Sequence, residues 1–277
     1  MANITAADVN KLRQITGAGM MDCKKALVEA EGDFDKAIEF LRKKGQKVAN
    51  NRADREAKDG FVFAKTNENK DFGVIIMLNC ETDFVAKSKD FVEVGNAIVD
   101  KAIELKPNDV ETLRNLAVNG ITINDLISDL IGKVGEKIEL THYHFISTPF
   151  VASYNHNGNR LASLLGFTKN VANTDELGKQ VAMQIAAMNP IAIDKDDVDT
   201  KTIENEIEIG KEQARLEGKA EAMLEKIAAG KLNKFLKENT LLNQLFIMDE
   251  TKTVAQYLES FDKDLKVKEY KRLVLGV

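Results

Sequence analysis

Glu81 and Asp83 are separated by a single residue in the run Asn79-Cys80-Glu81-Thr82-Asp83-Phe84-Val85-Ala86-Lys87, a spacing that invites a chemical reading. Carboxylates so placed near a strand end can share a face and take Mg²⁺, but without phosphate or further oxygens they make a weak site. His142 and His144 alternate onto one face of the extended run Lys137 to Ile146, and no further metal ligand falls beside them. Gly17-Ala18-Gly19 has neither the preceding strand nor the spacing of a dinucleotide loop, and the chain carries no Gly-rich phosphate loop with Lys and Ser/Thr and no nucleophile elbow. These residues predict no catalytic group, no metal and no cofactor. The remaining candidate is Phe84, an aromatic among polar neighbours, which can bind but not react.

Two elements must hold Phe84. Phe72-Gly73-Val74-Ile75-Ile76-Met77-Leu78 is short, β-branched and almost uncharged, the pattern of a strand buried on both faces. Phe91, Val94, Ile98 and Ala102 recur at about one helical turn, which predicts an amphipathic helix with Thr82, Asp83 or Ser88 as N-cap. Between them Phe84 has two readings: a staple folded back on the core, or a ring held outward as a fixed probe. The local pattern leaves both open.

The chain has 277 residues, room for two or three units with real cores. Its formal charge of -5 gives no general reason to hold nucleic acid, because phosphate binding needs clustered cations. Two cysteines make no disulfide framework, and neither a signal peptide nor a long apolar span stands out, so the reading is a reduced, soluble, cytoplasmic protein without direct nucleic-acid or membrane contact. Three prolines, no tryptophan and abundant Lys and Glu predict that helix dominates.

In order, residues 1–45 read as three short helices, whose shape resembles ubiquitin-associated domains. Thr5 caps the first, with Val9, Leu12 and Ile15; the second runs from Met21 to Ala30; the third carries Phe34, Ala37, Ile38 and Leu41. Met20 and Met21, about 100° apart on a helix, cannot both be buried in so small a bundle, so one faces a partner. Residues 46–59, basic and short of large apolar side chains, read as a linker, helical in part, or a solvated hinge.

Phe61-Val62-Phe63-Ala64-Lys65-Thr66, a polar turn and Phe72 to Leu78 make a β-hairpin. Phe150-Val151-Ala152-Ser153-Tyr154-Asn155, a turn of the same length and Leu161 to Phe167 superpose on it without a gap, and a helix follows each hairpin. The second copy has the polar link Lys169-Asn170-Val171-Ala172-Asn173 where the first has Thr82-Asp83-Phe84-Val85, which argues against an aromatic being needed merely to seal the junction. The expectation is an α+β fold: a UBA-like bundle, then a duplicated core with subdomains at 60–140 and at 141–190 plus 230–277. A charged helical hairpin, 191–229, breaks at Gly218-Lys219 and protrudes for self-association or contact.

Thr82-Asp83-Phe84-Val85-Ala86-Lys87 after a buried strand, in a chain that opens Leu12-Arg13-Gln14-Ile15-Thr16-Gly17-Ala18-Gly19-Met20-Met21-Asp22-Cys23-Lys24-Lys25-Ala26-Leu27, closely resembles the translation elongation factor Ts family. The order and separation of two long motifs make this specific, and the likeness continues to the last residues. It implies a guanine nucleotide exchange factor for elongation factor Tu, with Thr82, Asp83, Phe84 and Val85 entering the GTPase beside its Mg²⁺. It further implies that Leu12, Met20 and Met21 pack on the GTPase domain. Tyr154, His156 and Arg160 would grip another domain of the partner, although this turn has one residue more than the family pattern. The arm matches the family's dimerisation region, implying a homodimer through it. Many members continue into a C-terminal helical module; here that contact is expected to be absent or replaced. The alternative is a binding scaffold that uses only the bundle and the arm.

Overall fold

The computed structural model describes residues 4–276, and its architecture is α+β. Helices α1 (Ala6–Thr16), α2 (Met20–Glu29) and α3 (Phe34–Asn51) form the N-terminal bundle. Thr5 and Asp8 cap α1 reciprocally, and Gly17 ends it in the left-handed region at φ 66, where a side chain would be strained. Val9, Leu12, Cys23, Ala26, Leu27 and Ala37 fill the bundle core.

The stretch expected as a linker from residue 46 is helical as far as Asn51, in an α3 of 18 residues. It follows directly on a point of close helix packing. A Cβ on Gly45 would lie 2.5 Å from the Ser128 carbonyl oxygen, so the backbone of α3 presses directly on helix α7 (Ile123–Val134), and Val48 and Ala49 pack on the core beyond. Arg42 on α3 pairs with Asp129 on α7 at 3.4 Å.

Strands β1 (Asp59–Thr66) and β2 (Phe72–Cys80) form the first hairpin, in register Phe61 opposite Leu78. The short helix α4 (Asp83–Ala86) and the long helix α5 (Lys89–Leu105) follow, then α6 (Val110–Arg114), the two-residue strands β3 (Ala117–Val118) and β4 (Ile121–Thr122), and α7 (Ile123–Val134). Strand β5 (Ile138–Ser147) returns along the free edge of β2, giving the antiparallel order β1-β2-β5.

The second unit repeats this. Strands β6 (Phe150–Asn155) and β7 (Leu161–Phe167) pair from Phe150 opposite Phe167 to Asn155 opposite Ala162, and α8 (Thr174–Met188) covers them. The last strand, β10 (Val267–Val274), lies antiparallel to β7 in the order β6-β7-β10. The duplication seen in the hairpins thus extends to a third strand in each sheet.

The two sheets pack face to face, which explains why β2 is buried along its whole length. Val74, Ile76, Leu78 and Cys80 point under α5 and α7, while Ile75 and Met77 meet Val151, Ala162, Leu164 and Leu273 of the second sheet.

Helices α9 (Thr200–Leu216) and α10 (Glu221–Asn239) form the arm. Lys231 to Leu236 belong to α10, which runs on past residue 229 to Asn239. At the root Ala192 bridges Thr240, and the Ile191 amide donates to the Asn239 carbonyl at 2.8 Å. The hairpin β8 (Leu245–Phe246) and β9 (Asp249–Thr253) with α11 (Val254–Glu259) then leads to β10. Among the described residues no helix is long and apolar enough to cross a membrane.

Candidate protein-docking surface

Two helix caps in quick succession shape the loop that leaves β2. The Thr82 hydroxyl accepts from the Val85 amide at 3.4 Å and starts α4; the Ser88 hydroxyl accepts from the Phe91 amide at 3.4 Å and starts α5. Of the three candidate caps, then, two are used, each for its own helix. The single turn between them directs Ala86 inward and Val85 part-way onto the core, and these two do the packing that a folded-back Phe84 would have done. Phe84 points the other way and is 84% exposed, so the staple reading falls.

Polar bonds tie down the residues that precede the ring. The Thr82 amide and hydroxyl both donate to the Glu136 carboxylate, at 3.0 and 2.8 Å. Asp83 accepts from Lys87 at 2.6 Å, and that bond holds its carboxyl below the usual range. Glu81 accepts from Arg52 at 2.8 Å, from Arg55 at 3.0 Å and from the Lys137 amide at 2.7 Å. Burial works against the Glu81 charge, but these donors outweigh it and bring the carboxyl down to about 2. Glu81 and Asp83 are thus each neutralised by cations of the chain itself and do not form a cation site. Cys80 is buried, its thiol pushed up to about 12 by that burial and by the charges of Glu136 and Asp59, and it donates to the Thr82 carbonyl at 3.1 Å.

The bundle contributes a second exposed apolar group. Met20 and Met21 open α2 and are 52% and 65% exposed, and Ile15, expected to face inward, is 57% exposed. Leu12 requires a correction. Its exposure is 0%, because Val9 and Leu12, one turn apart, form the inward stripe of α1; it is a core residue and cannot touch a partner. The α1–α2 turn is tied to the Phe84 end of the core. A Cβ on Gly17 would fall 2.6 Å from Lys133 Nζ, and that ammonium pairs at 2.7 Å with Asp90 in the first turn of α5.

Of the second-unit residues, Arg160 reaches this end of the first sheet. Arg160 pairs with Asp59 at 2.6 Å, and Asp59 stands opposite Cys80 in register. The Asn155 side chain bonds both the amide and the carbonyl of Ala64 at 2.8 Å, stitching the two hairpins together. Arg160 is therefore engaged within the chain, and Tyr154, partly buried, shares a hydrogen bond of 3.0 Å with exposed His156. His142 and His144 sit with ring centroids 6.4 Å apart, and among the described residues no cluster of three or more His, Cys, Asp or Glu could hold a metal.

No local sequence pattern singles out Arg52, Arg55, Glu136 or Lys137. The only signal was the basic run after α3, whose partner across the fold no local pattern names.

Residues 81–277, opening at Glu81 and including the Phe84 loop, match the family model described as Elongation factor TS. Over 275 residues the chain is 54% identical to the Elongation factor Ts of Amoebophilus asiaticus, covering 99% of each. It is 51% identical over 276 residues to the Elongation factor Ts of Christiangramia forsetii, covering 100% of both, and likewise 51% identical over 276 residues to that of Flavobacterium psychrophilum. The chain belongs to the elongation factor Ts family. Membership places it in translation elongation, within protein biosynthesis. The likeness to these relatives spans the N-terminal bundle as well as the core.

Proposed function

We propose that the protein is the guanine nucleotide exchange factor for elongation factor Tu, and that Phe84 is the wedge. The observation that carries this reading is the exposed ring on a one-turn helix that Thr82 caps and that leads directly into the Ser88-capped α5. A GTPase holds GDP with a phosphate-cradling backbone loop and a Mg²⁺. A factor that binds the displaced arrangement of that site more tightly than the loaded one lowers nucleotide affinity, and linkage makes the weakening reciprocal. No bond is made or broken, so no catalytic residue and no cofactor are required.

Burial of the Phe84 ring in the partner supplies about 1.5–3 kcal/mol, roughly one to two decades in affinity. Asp83 adds polar contact beside the Mg²⁺ shell, and Thr82 and Val85 carry the ring. Met20 and Met21 anchor the GTPase domain, and Tyr154 with His156 forms a further grip; Arg160 supports that turn through Asp59. The arm, whose Ile209, Leu216 and Met223 are 48%, 81% and 51% exposed, is the element for self-association in this reading, which sets the protein in the cytoplasm with its partner. The test is stopped-flow release of labelled GDP from elongation factor Tu: addition of the protein accelerates release, and an unchanged rate refutes the proposal.

A further inference from the structure

Phe84 cannot fix its own position. It is 84% exposed, and α4 beneath it has only four residues, far too few to be stable alone. What holds the segment comes from elsewhere in the fold. Glu136 lies in the short connection between α7 and β5, just after Gly135, which ends α7 in the left-handed region at φ 72. From there its carboxylate takes both donors of Thr82, the amide at 3.0 Å and the hydroxyl at 2.8 Å. Once the hydroxyl proton is committed to Glu136, the lone pairs of that oxygen turn toward the Val85 amide, the bond that starts α4. The carboxylate thereby acts on the ring through Thr82.

The next residue grips the same junction from the other side. The Lys137 amide donates to Glu81 at 2.7 Å, and Lys137 Nζ donates to the carbonyls of Ala53 and Arg55, at 2.8 and 3.2 Å. Glu81 in turn takes Arg52 and Arg55, which follow α3 out of the bundle. Three stretches distant in sequence meet at Glu136-Lys137: the chain leaving the bundle, the end of β2 and the α7–β5 connection.

We propose that Glu136 is a positioning residue for nucleotide exchange, holding the Phe84 segment in its outward conformation through the paired bond to Thr82, while Lys137 ties that segment to the bundle. This rests on the exchange reading above. A wedge that must be ordered during binding loses part of its interaction to that ordering, so Glu136 governs how well the bound factor displaces nucleotide more than how tightly it docks.

Amide hydrogen exchange on the free protein and GDP release from elongation factor Tu, measured with Glu136→Ala and Glu136→Gln, test this. In Glu136→Ala the amides of residues 82–86 exchange about tenfold faster or more, while those of β2 and α5 keep their protection. The release rate at saturating factor falls about tenfold, and the half-saturating concentration shifts by less than about threefold. Glu136→Gln, whose amide oxygen still accepts from the Thr82 amide and whose amide nitrogen can donate to the hydroxyl, recovers most of both. Unchanged exchange at 82–86 in Glu136→Ala overturns the proposal, as does a loosened segment with an intact saturated rate, or a loss confined to half-saturation. If the wild-type protein fails to release GDP, the exchange reading falls on its own, and the hydrogen-exchange comparison still decides whether Glu136 holds the segment.

Discussion

Phe84 and Leu12 show how differently two apolar residues of one sequence behave. Phe84→Ala removes a ring that touches little of its own chain, so thermal unfolding shifts by no more than about 0.5 kcal/mol, while GDP release at saturation slows about tenfold or more. Leu12→Ala opens a cavity in a small core and costs about 2–5 kcal/mol; its circular dichroism reports a loosened bundle, and any loss of exchange follows from that. Glu81 adds a pH dependence. Its folded carboxyl stands at about 2 against the ordinary 4.5, so it contributes stability fully above the ordinary value and loses it as pH falls toward 2. Urea unfolding of wild type and Glu81→Gln compared from pH 6 down to pH 2 shows a gap that narrows as acid is added, starting near pH 4.5. Residue types and local spacing indicated the Thr82 and Ser88 caps, but both Glu81 and Glu136 depend on partners more than twenty residues away, which no window of sequence contains.

Helix α3 is the element that local reading cut short. Small and basic residues after Leu41 suggest a solvated hinge, yet Gly45 allows backbone contact with α7, and the helix continues because that contact exists. Gly45→Val therefore forces the helices apart. It lowers stability by about 1–3 kcal/mol in chemical unfolding, and limited proteolysis then cuts near Arg52 and Arg55, where the bundle joins the core. The hairpins were legible because a strand period of two with polar turns is a local signal. The extended run Lys137 to Ile146 was legible in the same way, but the pairing of the third strands was not: β5 and β10 each join a hairpin strand through contacts of long sequence separation.

At the scale of the whole molecule, two sheets clasped face to face carry the exposed ring at one end, with the bundle fixed beside it through Lys133, Asp90, Arg42 and Asp129. The arm stands apart on a small cluster of its own at the root, Ala192, Val198 and Leu236. Its tip buries little, so amides around Leu216 to Met223 exchange faster than those of residues 228–239 near the root, a gradient that mass spectrometry resolves. If the arm mediates self-association, Leu216→Glu with Met223→Glu shifts the mass of the free protein in light scattering to that of the monomer without lowering its melting temperature.

The sequence by itself determined most of the elements, the duplicated hairpin and the family resemblance, and it singled out the Phe84 segment, because apolar period, cap residues and motif wording are all local. Only the tertiary structure decided that Phe84 points outward while Leu12 points in, that α3 docks instead of swinging, and that Glu136 and Lys137 hold the loop. Those outcomes depend on which distant surfaces bury one another and which charges burial then forces to pair, and chain folding alone brings such partners together.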